Sequence, residues 1–150
     1  MTASSDISGR CLCGAVSFTA KAASHEVSAC HCSMCRRWTT GPFLGLTLDG
    51  PPSLEGGENI AVYKSSAWGE RAFCKVCGST LYWRLSGTDH YEVSAGTLDD
   101  PSGLLLTTQI FIDEKPAYYA FANDTKKLTG AEVMAAFMAE KQNESAEPDS

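Results

Sequence analysis

No stretch of this sequence is long and apolar enough to cross a bilayer, so no membrane association is expected. The run Met1-Thr2-Ala3-Ser4-Ser5-Asp6 has no basic segment leading into an apolar one, so no secretory signal is expected either. Positive charge is in short supply: Lys and Arg number 12 against 18 Asp and Glu, a formal net charge of −6. An acidic chain repels phosphate backbones, which sets nucleic acid aside as a partner. Internal repeats and low-complexity tracts are missing too. What is left, 150 residues of which 43% are hydrophobic, suits one domain with a single core. Without an export signal the expected location is cytoplasmic, a reducing compartment that disfavours structural disulfides.

Cysteine, by contrast, is plentiful and odd in number, with 7 residues in tight groups. They are Cys11-Leu12-Cys13, then Cys30-His31-Cys32-Ser33-Met34-Cys35, then Cys74-Lys75-Val76-Cys77. Closely spaced thiols suit a metal chelate, because one short turn delivers two ligands to one ion. Structural zinc fills four tetrahedral positions with protein ligands, so seven thiols divide as four plus three. Cys13 and Cys77 are each followed by glycine, Gly14 and Gly78. Glycine tolerates the left-handed backbone a metal-binding knuckle needs at that point. The two glycine-terminated pairs, Cys11/Cys13 and Cys74/Cys77, therefore form the first choice for one closed site. Cys30, Cys32 and Cys35 remain as a three-thiolate set from one loop, with a position open for water or substrate. A zinc ribbon on Cys32/Cys35 and Cys74/Cys77 is the second choice. Its intervening stretch is far longer than the roughly 15–20 residues usual for such sites, and it strands three cysteines. An iron–sulfur cluster is a further alternative for an all-thiolate set.

The neighbours of the triplet are read in the same way. In an extended segment His31 points away from Cys30 and Cys32, which puts it outside the ligand set as a packed or hydrogen-bonded residue. Arg36 and Arg37 follow directly. Zinc with three thiolates carries a net charge of about −1, which a nearby cation would offset. The alternative is that both are ordinary surface arginines.

Most of the remaining chain alternates with period two. Val16, Phe18 and Ala20 share a face, as do Leu44, Leu46 and Leu48, then Leu81, Trp83 and Leu85, then Tyr91, Val93 and Ala95. A run from Leu104 to Ile112 is also strand-like, and Asp49-Gly50-Pro51-Pro52, Glu55-Gly56-Gly57, Ser86-Gly87 and Asp99–Gly103 punctuate these segments. The pattern predicts a mainly antiparallel β protein. One helix is signalled near the carboxyl end. Thr129 and Glu132 form a capping box, Leu128 and Val133 a hydrophobic staple, and Val133, Met134, Phe137 and Met138 an apolar stripe. The expected organisation is a flexible residue 1–8 segment, a single zinc-binding domain over 9–142 and a disordered tail over 143–150.

Taken in order, Gly9-Arg10-Cys11-Leu12-Cys13-Gly14, Cys30–Arg37, Phe73–Ser79 and the stretch Ile110–Tyr119 resemble the glutathione-dependent formaldehyde-activating enzyme family, which includes centromere protein V-like domains. The resemblance runs from about Gly9 to about Asn123. It implies a β-tent-like fold of antiparallel sheets around a structural zinc on Cys11, Cys13, Cys74 and Cys77, with a second, labile zinc on Cys30, Cys32 and Cys35. It implies a carbon–sulfur lyase joining a small-molecule thiol such as glutathione to a small aldehyde, formaldehyde in the founding members. On that reading a metal-bound thiolate attacks the aldehyde, Arg36 or Arg37 attracts a substrate carboxylate, and Trp38, Phe43 and Trp68 wall the pocket, although plain core packing is the favoured account of these three aromatics. Two other classes are weighed. A non-catalytic zinc-stabilised β-tent module needs only the four-cysteine site. A methionine sulfoxide reductase needs a nucleophilic cysteine outside the zinc site, and no cysteine follows Cys77.

Overall fold

The computed structural model describes residues 5–146, with side chains described as far as Ala139. In chain order the elements are β1 (Ser5–Arg10), β2 (Ser17–Cys30), α1 (Ser33–Thr39), β3 (Phe43–Leu48), β4 (Ser53–Glu55), β5 (Ile60–Lys64), β6 (Gly69–Cys74), β7 (Thr80–Leu85), β8 (Tyr91–Ser94), β9 (Leu105–Ile110), β10 (Lys126–Leu128) and α2 (Gly130–Ala146). The strands join in one open sheet of order β10-β9-β2-β3-β8-β7-β6-β5, with β1 and β4 attached to β2.

Strand β2 is the spine. Its 14 residues pair antiparallel with β1, β3 and β4, and parallel with β9. Alternation along it turns Phe18, Ala22 and Val27 inward, where they meet Leu46, Leu48 and Val93. Each such side chain withdrawn from water contributes about 1.5–3 kcal/mol. Two smaller apolar clusters surround the cysteines: Val16 and Leu81 with Cys11 and Cys74, and Phe43 with Cys30, Cys32 and Cys35.

The mainly β fold with one carboxyl-terminal helix is as expected, with four differences of detail. The sheet is mixed, because the connection over residues 95–104 brings β9 in beside β2 in the parallel sense. The segment expected to be flexible is already strand from Ser5, held by pairing with β2 and by Ile7 packing on the core. The run Leu104–Ile112 stops as a strand at Ile110, where Phe111 turns left-handed at φ 53° and a short 3₁₀ turn follows over Ile112–Glu114. Helix α2 runs to Ala146, into the 143–150 stretch expected to be a disordered tail, since the sequence offers no glycine or proline between Gly130 and Pro148. The rest of the expected tail lies outside the described residues.

The entry to α2 is the predicted capping box. Thr129 N donates to Glu132 Oε1 at 2.9 Å, and Glu132 N donates to Thr129 Oγ1 at 3.2 Å. Thr129→Ala should lower stability by about 1 kcal/mol, read from the urea midpoint. Glu132 is held below the usual carboxylate range by the Thr129 backbone N–H first and by its hydroxyl second. A depressed folded value means the contribution is present above the ordinary 4.5 and fades as pH falls through the folded value. The stability gap between wild type and Glu132→Ala should therefore shrink on acidification. A gap that stays constant down to about pH 2 would show the cap has no ionic part.

Candidate metal centres

The structure gathers the seven cysteines into the two groups that glycine placement favours. Cys11, Cys13, Cys74 and Cys77 form one, Cys30, Cys32 and Cys35 the other, and within each group the sulfur atoms lie within 4.8 Å of one another. The ribbon-like pairing of Cys32/Cys35 with Cys74/Cys77 is not the grouping found.

In the first group two tight turns face each other. Cys11–Gly14 closes with Gly14 N donating to Cys11 O at 3.2 Å, and Cys74–Gly78 with Gly78 N donating to Cys74 O at 2.7 Å. Gly14 and Gly78 both take left-handed backbone, φ 80° and 81°. A Cβ at either would meet nothing within 4 Å, so the requirement is conformational, not steric. Backbone amides turn toward the sulfurs: Val16 N to Cys11 Sγ at 3.3 Å and Ala15 N to Cys13 Sγ at 3.5 Å. Ser79 ties the jaws together, accepting from Leu12 N at 3.0 Å and lying 3.2 Å from Cys77 Sγ. That hydroxyl is the main reason Cys77 is drawn down to about 5. The fit to a tetrahedral metal is direct. Ligands at about 2.3 Å from a central ion stand about 3.8 Å apart, and Cys11–Cys13 and Cys13–Cys74 measure 3.7 and 3.8 Å.

The triplet is built from two elements, not a plain loop. Cys30 ends β2, Cys32 is the N-cap of α1, and Cys35 lies inside that helix. Cys32 Sγ accepts from Cys35 N at 3.3 Å. All three are buried. Their protons are shared unequally. Cys32, hydrogen-bonded by Cys30 and Cys35, is pulled down to about 2. Cys30, donating to Cys32 and to Cys35, is pushed up. Three thiols packed this way shed all their protons only against a strong positive charge, which a divalent ion supplies.

The expectation for His31 holds: it is fully buried and faces away from the sulfurs. Nε2 lies 2.8 Å from Gln109 Oε1, and Nδ1 2.7 Å from Tyr119 Oη. Gln109 spends its Nε2 on Thr125 Oγ1 at 2.8 Å, so its oxygen accepts from the imidazole and the tyrosine hydroxyl donates to Nδ1. Burial pushes the ring's pKa down, in keeping with this neutral form. With both ring nitrogens engaged, His31 positions the Cys30-His31-Cys32 backbone instead of binding metal.

The triplet opens on a cavity of about 780 Å³. Phe43, Trp68, Trp83, Ile110, Phe111 and Phe137 give it mostly apolar walls, while Thr47, His90, Glu92 and Glu114 bring polar groups. Phe43 and Trp68 thus line it, the less favoured of the two readings for these aromatics. Trp38 lies behind, stacked on Phe43 at 5.4 Å between ring centres. Arg36 Nε donates to the His31 carbonyl at 3.0 Å, and Arg37 is exposed. Neither is among the described residues lining the cavity. The cation set against the triplet is Arg71, 5% exposed, with Nη1 donating to Cys35 Sγ at 3.5 Å and its guanidinium 4.9 Å over the Trp38 ring. Sequence reading missed Arg71, whose one signal is a charge at an inward position of a strand that ends in a ligand-type cysteine.

A mainly β sheet with a closed four-thiol cluster, and a three-thiol cluster facing a cavity, defines a cysteine-rich protein equipped for metal. More narrowly, the chain belongs to the glutathione-dependent formaldehyde-activating enzyme family, whose family model matches residues 6–114. A Schizosaccharomyces pombe (strain 972) protein named uncharacterized lyase C29B12.13 is 39% identical over 127 residues, 84% of this chain and 93% of its own length. A crystal structure of a Rhodobacter sphaeroides protein is similar with a TM-score of 0.54 and 26% identity, over 62% of this chain and 88% of that one.

The His31 network makes a test of this centre possible without metal. His31→Leu would leave the buried Gln109 carbonyl without its donor, at about 1–3 kcal/mol, and would free the half-buried Tyr119 hydroxyl. Chemical denaturation should show a loss in that range or above. A loss under about 0.5 kcal/mol would mean water replaces the ring at no cost.

Proposed function

We propose that this chain is a zinc-dependent carbon–sulfur lyase. Its substrate is the adduct of a thiol with a small aldehyde, of the S-(hydroxymethyl)glutathione type, which it cleaves or, in reverse, forms. The observation that carries the reading is the triplet Cys30, Cys32 and Cys35 on the wall of a large, mostly apolar cavity. Family membership and the lyase name of the fission-yeast relative support it. Zinc held by these three thiolates would keep one position for a substrate sulfur and lower that sulfur's pKa.

The chain's own residues do the rest. Arg71 offsets the negative charge that thiolates accumulate at Cys35. Phe43, Trp68 and Trp83 keep bulk water from the adduct. The cavity is far larger than a one-carbon aldehyde, and its size falls in the range of small-molecule sites of about 300–1,000 Å³, so the thiol partner fills most of it. Cys11, Cys13, Cys74 and Cys77 would hold a second, structural zinc with no open position. A reducing cytoplasm suits both sets of thiols. A non-catalytic zinc-stabilised module would leave the triplet and its cavity without a use, which favours the lyase.

Protein purified without chelator should carry up to two zinc ions, and mild chelation should leave one. Cys74→Ser should unfold or badly destabilise the domain, because structural zinc couples to folding, with about 10–16 kcal/mol in small zinc modules. Cys32→Ser should melt close to wild type. Equal losses in the two variants, or an iron chromophore, would overturn the division of roles.

Catalysis is tested by exchange spectroscopy on glutathione and formaldehyde against a matched blank, since the uncatalysed addition is itself quick. Wild type should raise the exchange rate. Cys35→Ser should abolish the excess while one zinc stays bound. If glutathione and other common thiols give no excess and none perturbs the labile metal, the lyase reading fails and the non-catalytic module replaces it.

A further inference from the structure

The cavity beside the triplet is apolar out to its rim. Met34, Trp68 and Met134 border it and stand 38%, 42% and 41% exposed, so large apolar side chains meet water at its mouth. Inside, Trp68 and Trp83 meet edge to face at 6.3 Å between ring centres. Helix α2 supplies a further wall. Its Val133, Met134 and Phe137 fall on one stripe, and its first turn is held by Asp113 Oδ1, which accepts from Gly130 N at 2.8 Å. That wall lies beyond residues 6–114, the span the family model matches, so it is no part of the shared pattern.

Charge around the cavity has one sign. Among the described residues that line it, the acidic ones are Glu92 and Glu114, and no lysine or arginine joins them. Both carboxylates are already engaged. Thr47, Glu92, Trp83 and Arg71 follow one another across β3, β8, β7 and β6. Thr47 Oγ1 donates to the Glu92 oxygens at 3.0 and 2.8 Å, and His90 Nε2 lies 2.8 Å from Oε2. Glu114 Oε1 accepts from Ser33 N at 3.0 Å. The nearby arginines are spent elsewhere. Arg71 donates from Nε to Ser65 Oγ at 2.9 Å and from Nη1 to Cys35 Sγ, and Arg36 donates from Nε to the His31 carbonyl. A ligand carboxylate in this space finds no cation on its walls and meets negative neighbours, so stripping its water is costly. An uncharged apolar body meets no such cost and gains by leaving water.

Resting on the lyase reading above, we propose that the thiol this cavity selects is uncharged with an aromatic or alkyl body, and that α2 is the wall that selects it. Glutathione, with its carboxylates and ammonium, is the poorer partner. The sulfur lies at the triplet, and the body runs along Trp68, Trp83 and Phe137. Met34 and Met134, unbranched and polarisable, adapt the mouth to bodies of differing shape. The reaction itself is unchanged. The C–S bond forms between the thiol sulfur and the aldehyde carbon, and the thiol proton ends on the aldehyde oxygen. Nothing is oxidised or reduced, and cleavage reverses the same changes.

The test runs formaldehyde exchange on the purified protein with benzyl mercaptan, its para-carboxylate, its para-carboxamide and glutathione, each against its own blank. kcat/KM should be about 30-fold higher for benzyl mercaptan than for the carboxylate or for glutathione. The carboxamide, matched in size to the carboxylate, should stay within a few-fold of benzyl mercaptan. Met134→Lys changes an exposed position of α2 and should cut the ratio of benzyl mercaptan to carboxylate to a few-fold, with melting temperature and zinc content as controls. Binding is read apart from turnover. Benzyl methyl sulfide, which has no thiol proton, should move the indole N–H signals of Trp68 and Trp83, and its para-carboxylate at equal concentration should not. A carboxylate or glutathione as good as benzyl mercaptan overturns the proposal, and so does a carboxamide as poor as the carboxylate, since size then governs. An unchanged ratio in folded Met134→Lys overturns the role of α2, while the wild-type comparison decides the ligand class without any variant. If no thiol gives excess exchange, the lyase reading fails and the sulfide titration still decides. A response to the neutral sulfide alone sustains the apolar ligand class. Equal responses to both sulfides, or none to the neutral one, overturn it.

Discussion

Thiols packed within 4.8 Å of one another resist ionising together, and the architecture of this chain is organised around that constraint. Each cluster has devices that lower the cost. Around Cys11, Cys13, Cys74 and Cys77 they are backbone amides, the Ser79 hydroxyl and two left-handed glycines that let the turns aim their N–H groups inward. Around Cys30, Cys32 and Cys35 the device is Arg71, brought in from β6. That strand therefore serves both clusters, since Cys74 at its end belongs to one and Arg71 touches the other. Neither set of devices supplies charge enough for full ionisation, and a divalent ion is the chemical completion that both donor sets fit.

Precision at the triplet comes from the turn after β9. Phe111 adopts the left-handed conformation, which is uncommon for an aromatic residue and is tolerated where the surroundings over-determine it. Its ring fills the space above Gly130, where a Cβ would come within 2.8 Å. The two acidic residues that follow each hold a helix start. Asp113 Oδ1 accepts from Gly130 N at 2.8 Å, and Glu114 Oε1 accepts from Ser33 N at 3.0 Å. Negative charge is favourable at both places. The same turn thus anchors α1, which carries Cys35, and α2, which brings Val133 and Phe137 to the cavity.

Local chemistry was legible in the sequence and cross-strand chemistry was not. The cysteine grouping could be read because each pair is made within one turn, and the glycine after it states the backbone conformation. The Thr129–Glu132 cap could be read for the same reason. His31 was legible through the alternation of an extended segment. What stayed hidden depends on register. Thr47, Glu92, Trp83 and Arg71 lie far apart in the chain, and a slip of one residue would scatter them to opposite faces. Arg36 and Arg37 attracted attention by adjacency, whereas the residue facing Cys35 comes from a strand 36 positions away. The parallel pairing of β2 with β9 is likewise a property of the long connection before β9, not of either strand's composition.

The cavity walls give these placements their force. Coulombic interactions strengthen as the effective dielectric falls, so aromatic walls make both Arg71 beside Cys35 and Glu92 beside His90 more consequential than the same pairs would be in water. They also raise the penalty for a charge that lacks its partner. A cavity of this kind favours a mostly apolar ligand that brings charge only where a partner already stands. The sheet register that escapes sequence reading therefore sets Arg71 and Glu92, each with its partner, two strands apart with Trp83 between them.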